Sequence, residues 1–483
     1  VSQKRRMGRK ELSASGNQIK TISMRGFMFK YVVLSLSFCF FACATQTTGT
    51  AQKFKTAEEY SKAKEFKPGK LVIVQGPTSD HETNINVLAP RLKNYIYIVV
   101  TPDGKELAVE KYETIQPEIL LWKIDKLNIK NLEPNKDYTL KVVDEFRSSK
   151  TTVDTRTFRA LDVKGYKARF AYASCMADDY RFTEVIDPMW DRMKSLNPDF
   201  IILNGDVVYV DSFEFVERKK ATELDIWQRF IDSFNRLPMY KWTTLKPVFA
   251  TWDDHDFGTN DGARDFPSKQ AARKIFLGFF GGKNIPGVYQ LENESVYFSL
   301  NAFHQRMLFL DDRYFRQPNK EQKEAEKFAH WGEKQHNWIM NTLNADGTPA
   351  WLFNGNQFFS GVDLSYKESI QSNNPAHFQK ILEDLKSVKA PVVMASGDIH
   401  FSEVMRIPTD KLGYETYELT SSSMHSYTGS GWDNPLRVPG AFSKEFNFML
   451  INSTSKDGGL EIDVESWGLA DKPYFKNNFR VRK

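Results

Sequence analysis

Asp199-Phe200-Ile201-Ile202-Leu203-Asn204-Gly205-Asp206-Val207-Val208-Tyr209 sets the fold expected of the chain. Its apolar run, Phe200 to Leu203, lies between Pro198 and Asn204-Gly205 and predicts a short strand buried on both faces. Asp206 and Tyr209 follow the glycine at once, and in open α/β sheets ligands bind just beyond the carboxyl ends of the strands. Asp206 is therefore where chemistry is expected. The pattern recurs. Phe170–Ser174 runs into Cys175-Met176-Ala177-Asp178-Asp179, and Pro247–Thr251 runs into Trp252-Asp253-Asp254-His255-Asp256. Trp351–Phe353 runs into Asn354-Gly355-Asn356-Gln357, and Val392–Ser396 runs into Gly397-Asp398-Ile399-His400. One carboxylate or histidine at a strand end is ordinarily a turn residue or a cap. Five strand ends of this kind along one chain argue for a shared site.

At 483 residues the chain exceeds one simple core, so two domains plus a leader are expected. Hydrophobic residues at 41% and aromatic residues at 14% suit a sizeable core. The net charge of +5 is spread thinly, and much of the excess precedes the hydrophobic leader. No basic stripe with interleaved aromatics stands out, so no nucleic-acid-binding surface is expected. Of the three cysteines, Cys39 and Cys43 fall in the leader, which excludes a disulfide framework for the body. Cys175 is left alone there. A lone thiol is ordinarily a buried small hydrophobe, but its place beside Asp178 and Asp179 points to a metal ligand.

Along the chain, the apolar run Tyr31–Ala42 is too short to span a bilayer as a helix. With Arg25 and Lys30 ahead of it, the run predicts a secretory leader over residues 1–43. Met24 or Met28 is a more typical start for such a leader, so residues 1–23 are expected to be an over-extension. Ala42-Cys43 followed by Thr45-Gln46-Thr47-Thr48 resembles a lipoprotein cleavage site, with lipidated Cys43 as a membrane anchor. Phe40 departs from that pattern, and plain secretion with cleavage near Ala44 is the alternative. Residues 44–68 read as a polar tether.

Residues 69–162 carry short alternating strands: Leu71–Val74, Tyr95–Val100, Leu120–Ile124 and Tyr138–Val143. They predict a small all-β sandwich, fibronectin/Ig-like, and Leu132–Tyr138 resembles the tyrosine-corner region of fibronectin type III domains. His81 is expected to be solvated. From residue 163 to 475 strands alternate with helices, expected over Thr183–Leu196, Glu223–Leu237, Ser268–Phe280, Glu333–Leu343 and Pro375–Val388. Thr183 and Thr222 are the expected N-caps. Trp227, Phe230, Ile231 and Phe234 form a core-facing stripe, and Asn447–Trp467 closes as a hairpin around Asp457-Gly458-Gly459.

Asp206, Tyr209, Asp254, Asp398, His400 and Cys175 form a mixed oxygen, nitrogen and sulfur donor set. Two neighbouring cations need a bridging carboxylate, for which Asp206 is the best placed, and such a pair clamps a phosphoryl group and activates water. Oxygen donors suit hard ions such as calcium, magnesium or manganese, whereas thiolate and phenolate suit a transition metal such as iron.

Asn204-Gly205-Asp206-Val207-Val208-Tyr209, Trp252-Asp253-Asp254-His255-Asp256 and Gly397-Asp398-Ile399-His400 resemble motifs of the calcineurin-like metallophosphoesterases. They resemble more closely the PhoD-like alkaline phosphatase D branch. Ser174-Cys175, Asp253-Asp254-His255 and Gly397-Asp398-Ile399-His400 stand as that branch's variants of the general Asp-x-His, Gly-Asn-His and Gly-His-x-His motifs. Leu310–Arg316, Trp331–Gln335 and Asn356-Gln357 also resemble the branch, and the likeness spans roughly residues 70–470. It implies a metallophosphoesterase-type β-sandwich core flanked by helices, in the α/β class. It further implies an iron (Fe3+) site of Cys175, Asp206, Tyr209, Asp398 and His400, and one or two calcium ions (Ca2+) held by Asp206 and Asp254, with Asn356 nearby. His255 is implied as general acid or phosphate contact. Arg313 or Arg316 would clamp the phosphate, the alternative being an ion pair with Asp311 or Asp312.

Asp256 stands where the family usually has Glu, and Asn260-Asp261 where it has an Asn pair. That departure bears on substrate choice more than on metal binding. His425 is read as a solvated loop residue, with a site contact as the alternative; His304, His330, His336 and His377 are read as structural or surface. The expected activity is an exported metal-dependent phosphoesterase acting by attack of a metal-bound hydroxide. Its partners would be phosphate esters: nucleotides, sugar phosphates, phospholipid or phosphodiester polymers. The alternatives are a phosphodiesterase with little monoesterase activity, and a non-catalytic surface binding protein that uses the β-sandwich.

Overall fold

In a computed structural model the chain is described from residue 70 to 483, apart from residues 119, 147–148, 212–220, 320, 322–325 and 362–368. The leader, Cys43 and the 44–68 tether lie outside the described residues. The strand at the centre of the expectations forms at Phe200–Asn204, with every residue buried. It pairs in parallel with Lys167–Ala173 on one side and Val248–Thr251 on the other. Phe448–Lys456 joins antiparallel to Lys167–Ala173, and Gly459–Trp467 and Phe475–Val481 extend the sheet to six strands. The closing hairpin is there, with a third strand beyond it.

An eight-stranded sheet lies against this one. Its parallel centre is Gln305–Phe309, Ala350–Phe353, Val392–Ser396 and Thr416–Thr420. Antiparallel strands flank it: Tyr289–Leu291 and Phe298–Ala302 at one edge, Ser402–Ile407 and Arg437–Ser443 at the other. Rings from the two sheets interleave. Phe170 meets Trp351 and Phe353 edge-on at 5.8 and 6.3 Å between centroids, and Phe249 meets Phe309 at 6.2 Å. Full burial of each such side chain contributes about 1.5–3 kcal/mol, so this layer is the main apolar core.

Residues 72–159 form two four-stranded antiparallel sheets around a second core that includes Ile85, Val87, Leu127, Leu140 and Phe158. The expected strand at Leu120–Ile124 begins at Trp122 and runs to Lys130, and Leu121 is exposed. Glu82–Pro90, Val109–Ile115 and Ser149–Arg159 are further strands that the sequence reading missed. Glu133 N donates to the hydroxyl of buried Tyr138 at 2.8 Å, which ties the turn to the strand that follows. Tyr138→Phe should therefore cost roughly 1 kcal/mol of stability. Denaturant melts check this, and an unchanged midpoint would contradict the bond.

The five expected helices form at Thr183–Ser195, Glu223–Arg236, Lys269–Phe280, Gly332–Asn344 and Pro375–Ser387. Thr222 caps the second in a capping box with Asp225. Thr183 is not a cap: the cap position falls on Phe182, without a side-chain bond.

The last two helices bury a row of histidines. His377 Nδ1 accepts from His330 N at 3.0 Å, so its proton sits on Nε2 and faces His336 Nδ1, also at 3.0 Å. His336 Nε2 then donates to Asp384 at 2.7 Å. Burial, with His336 and Lys380 adding, pushes His377 down to about 3. An unfolded histidine titrates near ~6.5, so below that pH the unfolded chain takes a proton that the fold refuses. The stability from this group is complete above ~6.5 and drains as the pH falls toward about 3. Between pH 7 and 4 this one histidine should remove roughly 3 kcal/mol. His377→Asn should flatten the pH slope in urea melts, and parallel slopes would contradict the reading.

Candidate metal centre

The five strand ends meet at one edge of the paired sheets. Within the smaller sheet, Gly205 N bonds Thr251 O at 3.0 Å and Met176 N bonds Asp206 O at 2.7 Å. Across to the larger sheet, Asn204 Nδ2 donates to Asn354 O at 2.7 Å and Ser174 Oγ donates to Ser421 O at 2.7 Å. Within the larger sheet, Gly397 N bonds Gly355 O at 2.7 Å. Neighbouring side chains pack so closely onto two glycines that a Cβ is excluded there: one on Gly355 would lie 2.7 Å from Asp253 Cγ, and one on Gly397 2.5 Å from Ser174 Oγ.

Asp206 sits at the focus, buried, and its two oxygens face different neighbours. Oδ2 receives Tyr209 OH at 3.3 Å and lies 3.5 Å from Cys175 Sγ. Oδ1 lies 3.4 Å from His255 N, on the Asp254 side. Ligand atoms of Asp206, Asp254 and His255 all lie within 4.8 Å of one another, and so do those of Asp206, Asp253 and Asp398. Cys175, Asp206, Asp398 and His400 have φ of 56°, 53°, 70° and 59°. Left-handed backbone costs a non-glycine residue about 1–2 kcal/mol, so four such residues at one locus mark imposed geometry.

Residues 170–465, more than half of the chain, match the family profile of the PhoD-like phosphatases. The chain belongs to the PhoD-like phosphatases. Its fold is similar to that of the solved structure of PhoD, with a TM-score of 0.65 at 16% identity over 87% of this chain and 93% of that one. Two other matches carry no argument. Vertebrate astrotactin-2 has a TM-score of 0.16 at 15% identity, covering 26% of each chain. An amylomaltase from Corynebacterium glutamicum has 0.14 at 12% identity, covering 27% of this chain and 21% of that one. Among curated proteins nothing matches. Membership of the PhoD-like phosphatases implies phosphoesterase activity on phosphate esters.

The donor chemistry of this phosphatase fits bound cations. Burial, with Asp254 and Asp256 adding, pushes the Asp206 carboxyl well up, although His255 and Arg313 oppose. Burial and the neighbouring acids, Asp312 first, raise Asp253 too, against Arg313. Burial, then Asp206, lifts the Cys175 thiol; burial, then Cys175 and Asp206, lifts the Tyr209 phenol. Packed acids of this kind ionise together only beside positive charge. Among the described residues, buried Asp253 Oδ2 has no hydrogen-bond partner, as a waiting ligand atom would not. His400 Nδ1 donates to Tyr427 O at 2.6 Å, which leaves Nε2 as the lone-pair nitrogen, and burial pushes its ring down to about 4.

Several expected contacts are placed differently. Arg313 is fully buried with its Nε against Asp253, and Asp312 Oδ1 lies 3.7 Å away. A guanidinium enclosed in this way holds Asp253, and its second ion pair is with Asp312, one of the two aspartates expected as the alternative to a phosphate clamp. Arg316 is also buried and reaches Asn319 at 3.3 Å. Asn356 Oδ1, the atom a cation would need, accepts from Asn354 Nδ2 at 2.8 Å. Asp256 caps its own helical turn and accepts Val208 N at 2.7 Å, so it splints the Asp254 turn to the loop after Asp206. Asn260 bonds Asp261, whose N donates to Asp254 Oδ2 at 2.6 Å. His425 is buried, not solvated: Nδ1 donates to Ala177 O and Nε2 accepts Trp190 Nε1, both at 2.9 Å.

Three residues escaped the sequence reading. Asp253 was passed over for its neighbour Asp254, yet it is Asp253 that meets Asp206 and Asp398. Ser422 Oγ accepts His400 N at 2.9 Å and donates to Cys175 Sγ at 3.1 Å, joining two candidate ligands. Asp211 Oδ1 bonds His255 Nδ1 at 2.5 Å, and its other oxygen accepts Asn260 N. Its signal was faint but present, a carboxylate two residues past Tyr209. Burial opposes the charge on His255, but Asp254, Asp206 and Asp211 outweigh it and hold the imidazole protonated. Asp211→Asn should lower kcat/KM roughly 10- to 100-fold with the metal content per chain retained, read by steady-state kinetics and elemental analysis. Undiminished kcat/KM would remove Asp211 from the site.

Proposed function

We propose that the protein is a metal-dependent phosphoesterase whose Asp206 carboxylate is shared between two cations. The observation that carries this reading is the division of Asp206: one oxygen toward Tyr209 and Cys175, the other toward Asp254 and His255. Cys175, Tyr209, Asp398 and His400 would hold iron with Asp206, since thiol, phenol and imidazole donors suit a transition metal. Asp254, with Asp253 beside it, offers oxygen alone and suits calcium. Bound there, the cations would supply charge stabilisation at the phosphoryl group and acidify a water molecule.

The chain's own groups divide the remaining work. Protonated His255, oriented through Nδ1 by Asp211, is poised to donate a proton to the leaving oxygen. Arg313 fixes Asp253 and balances part of the buried negative charge. The substrates proposed are monoesters or diesters of phosphate. We further propose export, supported by the pattern at Tyr31–Cys43, which lies outside the described residues.

Metal analysis of the purified chain, with hydrolysis of a chromogenic monoester and its matching diester, tests the reading. Iron with calcium and turnover of one ester are expected. Asp206→Asn should lose metal and at least roughly a hundredfold of kcat/KM, and Cys175→Ser should lose iron selectively. A metal-free or inert wild type would overturn the proposal, and the preferred ester assigns monoesterase or diesterase action.

A further inference from the structure

The loop after Cys175 and a loop hydrogen-bonded to His400 together build a rim beside the candidate ligands. The loop after the strand Thr416–Thr420 folds back beside His400 and presents Tyr427, a large side chain left 49% exposed. Its backbone is fixed at both ends of the histidine: Tyr427 O accepts His400 Nδ1 at 2.6 Å, and Gly429 N donates to His400 O at 2.6 Å. The ring therefore stands beside the candidate ligand, 6.5 Å from the His400 imidazole between centroids.

The loop after Cys175 supplies the support. Phe182 meets Tyr427 edge-on at 5.4 Å, and the Arg181 guanidinium lies 4.8 Å from the centre of the Tyr427 ring. Arg181 is fixed in turn by Asp179, which accepts its Nε at 2.8 Å and its Nη2 at 2.7 Å, and also its backbone N at 2.8 Å. That bidentate pairing balances the guanidinium charge, so Arg181 acts here as a flat cationic backing for the ring rather than as an anion site. A half-exposed ring, braced by a second ring and a pinned guanidinium, has lost most of its rotamer freedom before any ligand arrives. Stacking on it costs correspondingly little entropy.

We propose that Tyr427, braced by Arg181 and Phe182, is a specificity-determining platform that stacks the organic group of the ester, and that the preferred esters carry a planar aromatic ring on the alcohol side. The inference rests on the phosphoesterase reading above and adds the substrate class. Aliphatic esters fit the same phosphoryl site but gain nothing from the platform.

Two non-hydrolysable probes, phenylphosphonate and methylphosphonate, test it by calorimetry on the protein with its own metals. The wild type should bind the phenyl compound roughly tenfold more tightly than the methyl compound. Tyr427→Ala should bring the two within about twofold, Tyr427→Phe should keep the preference, and Arg181→Ala should weaken it through loss of the brace. Turnover gives the second readout: the kcat/KM ratio of phenyl phosphate to methyl phosphate should fall roughly tenfold in Tyr427→Ala. Equal affinities in the wild type, or a preference that survives Tyr427→Ala, would overturn the platform. A wild type that hydrolyses neither ester yet keeps the phenyl preference would overturn the phosphoesterase reading and leave the platform standing. Hydrolysis that needs Asp206 but ignores Tyr427 would do the reverse.

Discussion

Burying Asp206 without exposing it to water is the constraint that the site is built around. A carboxylate with both oxygens enclosed needs either a proton or positive charge close by, and its neighbours are mostly acids. Arg313 and protonated His255 supply part of the compensation, one through Asp253 and the other from beside Asp254. The remainder of the acid cluster is stable as anions only beside cations. That the chain has such a cluster, and left-handed backbone at Cys175, Asp206, Asp398 and His400, means that folding energy is diverted to hold these side chains in place.

The strain persists because hydrogen bonds over-determine each turn. Ser422 fixes the backbone of His400 and the thiol of Cys175 together. Asp256 joins the Asp254 turn to Val208. Buried Arg229 reaches Tyr209 O at 3.3 Å and Asp178 at 2.5 Å, so one guanidinium braces both the loop after Asp206 and the loop after Cys175. None of these three residues needs to touch a substrate. Each removes a degree of freedom from a candidate ligand or from the turn that carries one.

Much of the catalytic half was legible because strands buried on both faces leave contiguous apolar runs, as at Phe200–Leu203 and Val392–Ala395, and their ends fall on chemically distinctive residues. The N-terminal sheets were harder to read. Glu82–Pro90 carries Thr83, Asn84 and Asn86 at buried positions, where they bond side chains and helix ends, so alternation of polar with apolar no longer signals a strand. Asp253 was missed for a related reason: in the four consecutive acidic or basic positions Asp253 to Asp256, which side chain faces Asp398 is set by the helical turn that starts at Asp254. Arg313 looked like an anion clamp because a sequence does not show that Asp253, sixty residues earlier, reaches it first. His425 sits in a polar run, yet Trp190 and Ala177 enclose it.

The N-terminal sheets contribute to the same rigidity from a distance. Asn86 Nδ2 donates to Phe279 O and Gly281 O at 2.9 and 3.0 Å, satisfying the end of helix Lys269–Phe280. Gly278 of that helix lets Ile115 and Ile124 of the sheet approach its backbone, where a Cβ would lie 3.4 and 3.3 Å from their Cδ1 atoms. The same helix stacks Phe279 on Phe230, from helix Glu223–Arg236, and sets Phe276 edge-on to it. Phe230 directly follows Arg229, the residue that braces Tyr209 and Asp178. A path of packed side chains, joined at Arg229-Phe230 by the helix backbone, thus runs from the sheet through two helices to the loops that carry Cys175 and Tyr209. Loosening the sheet would be felt at the site as added freedom of Arg229, because closely packed interiors transmit displacement rather than absorb it.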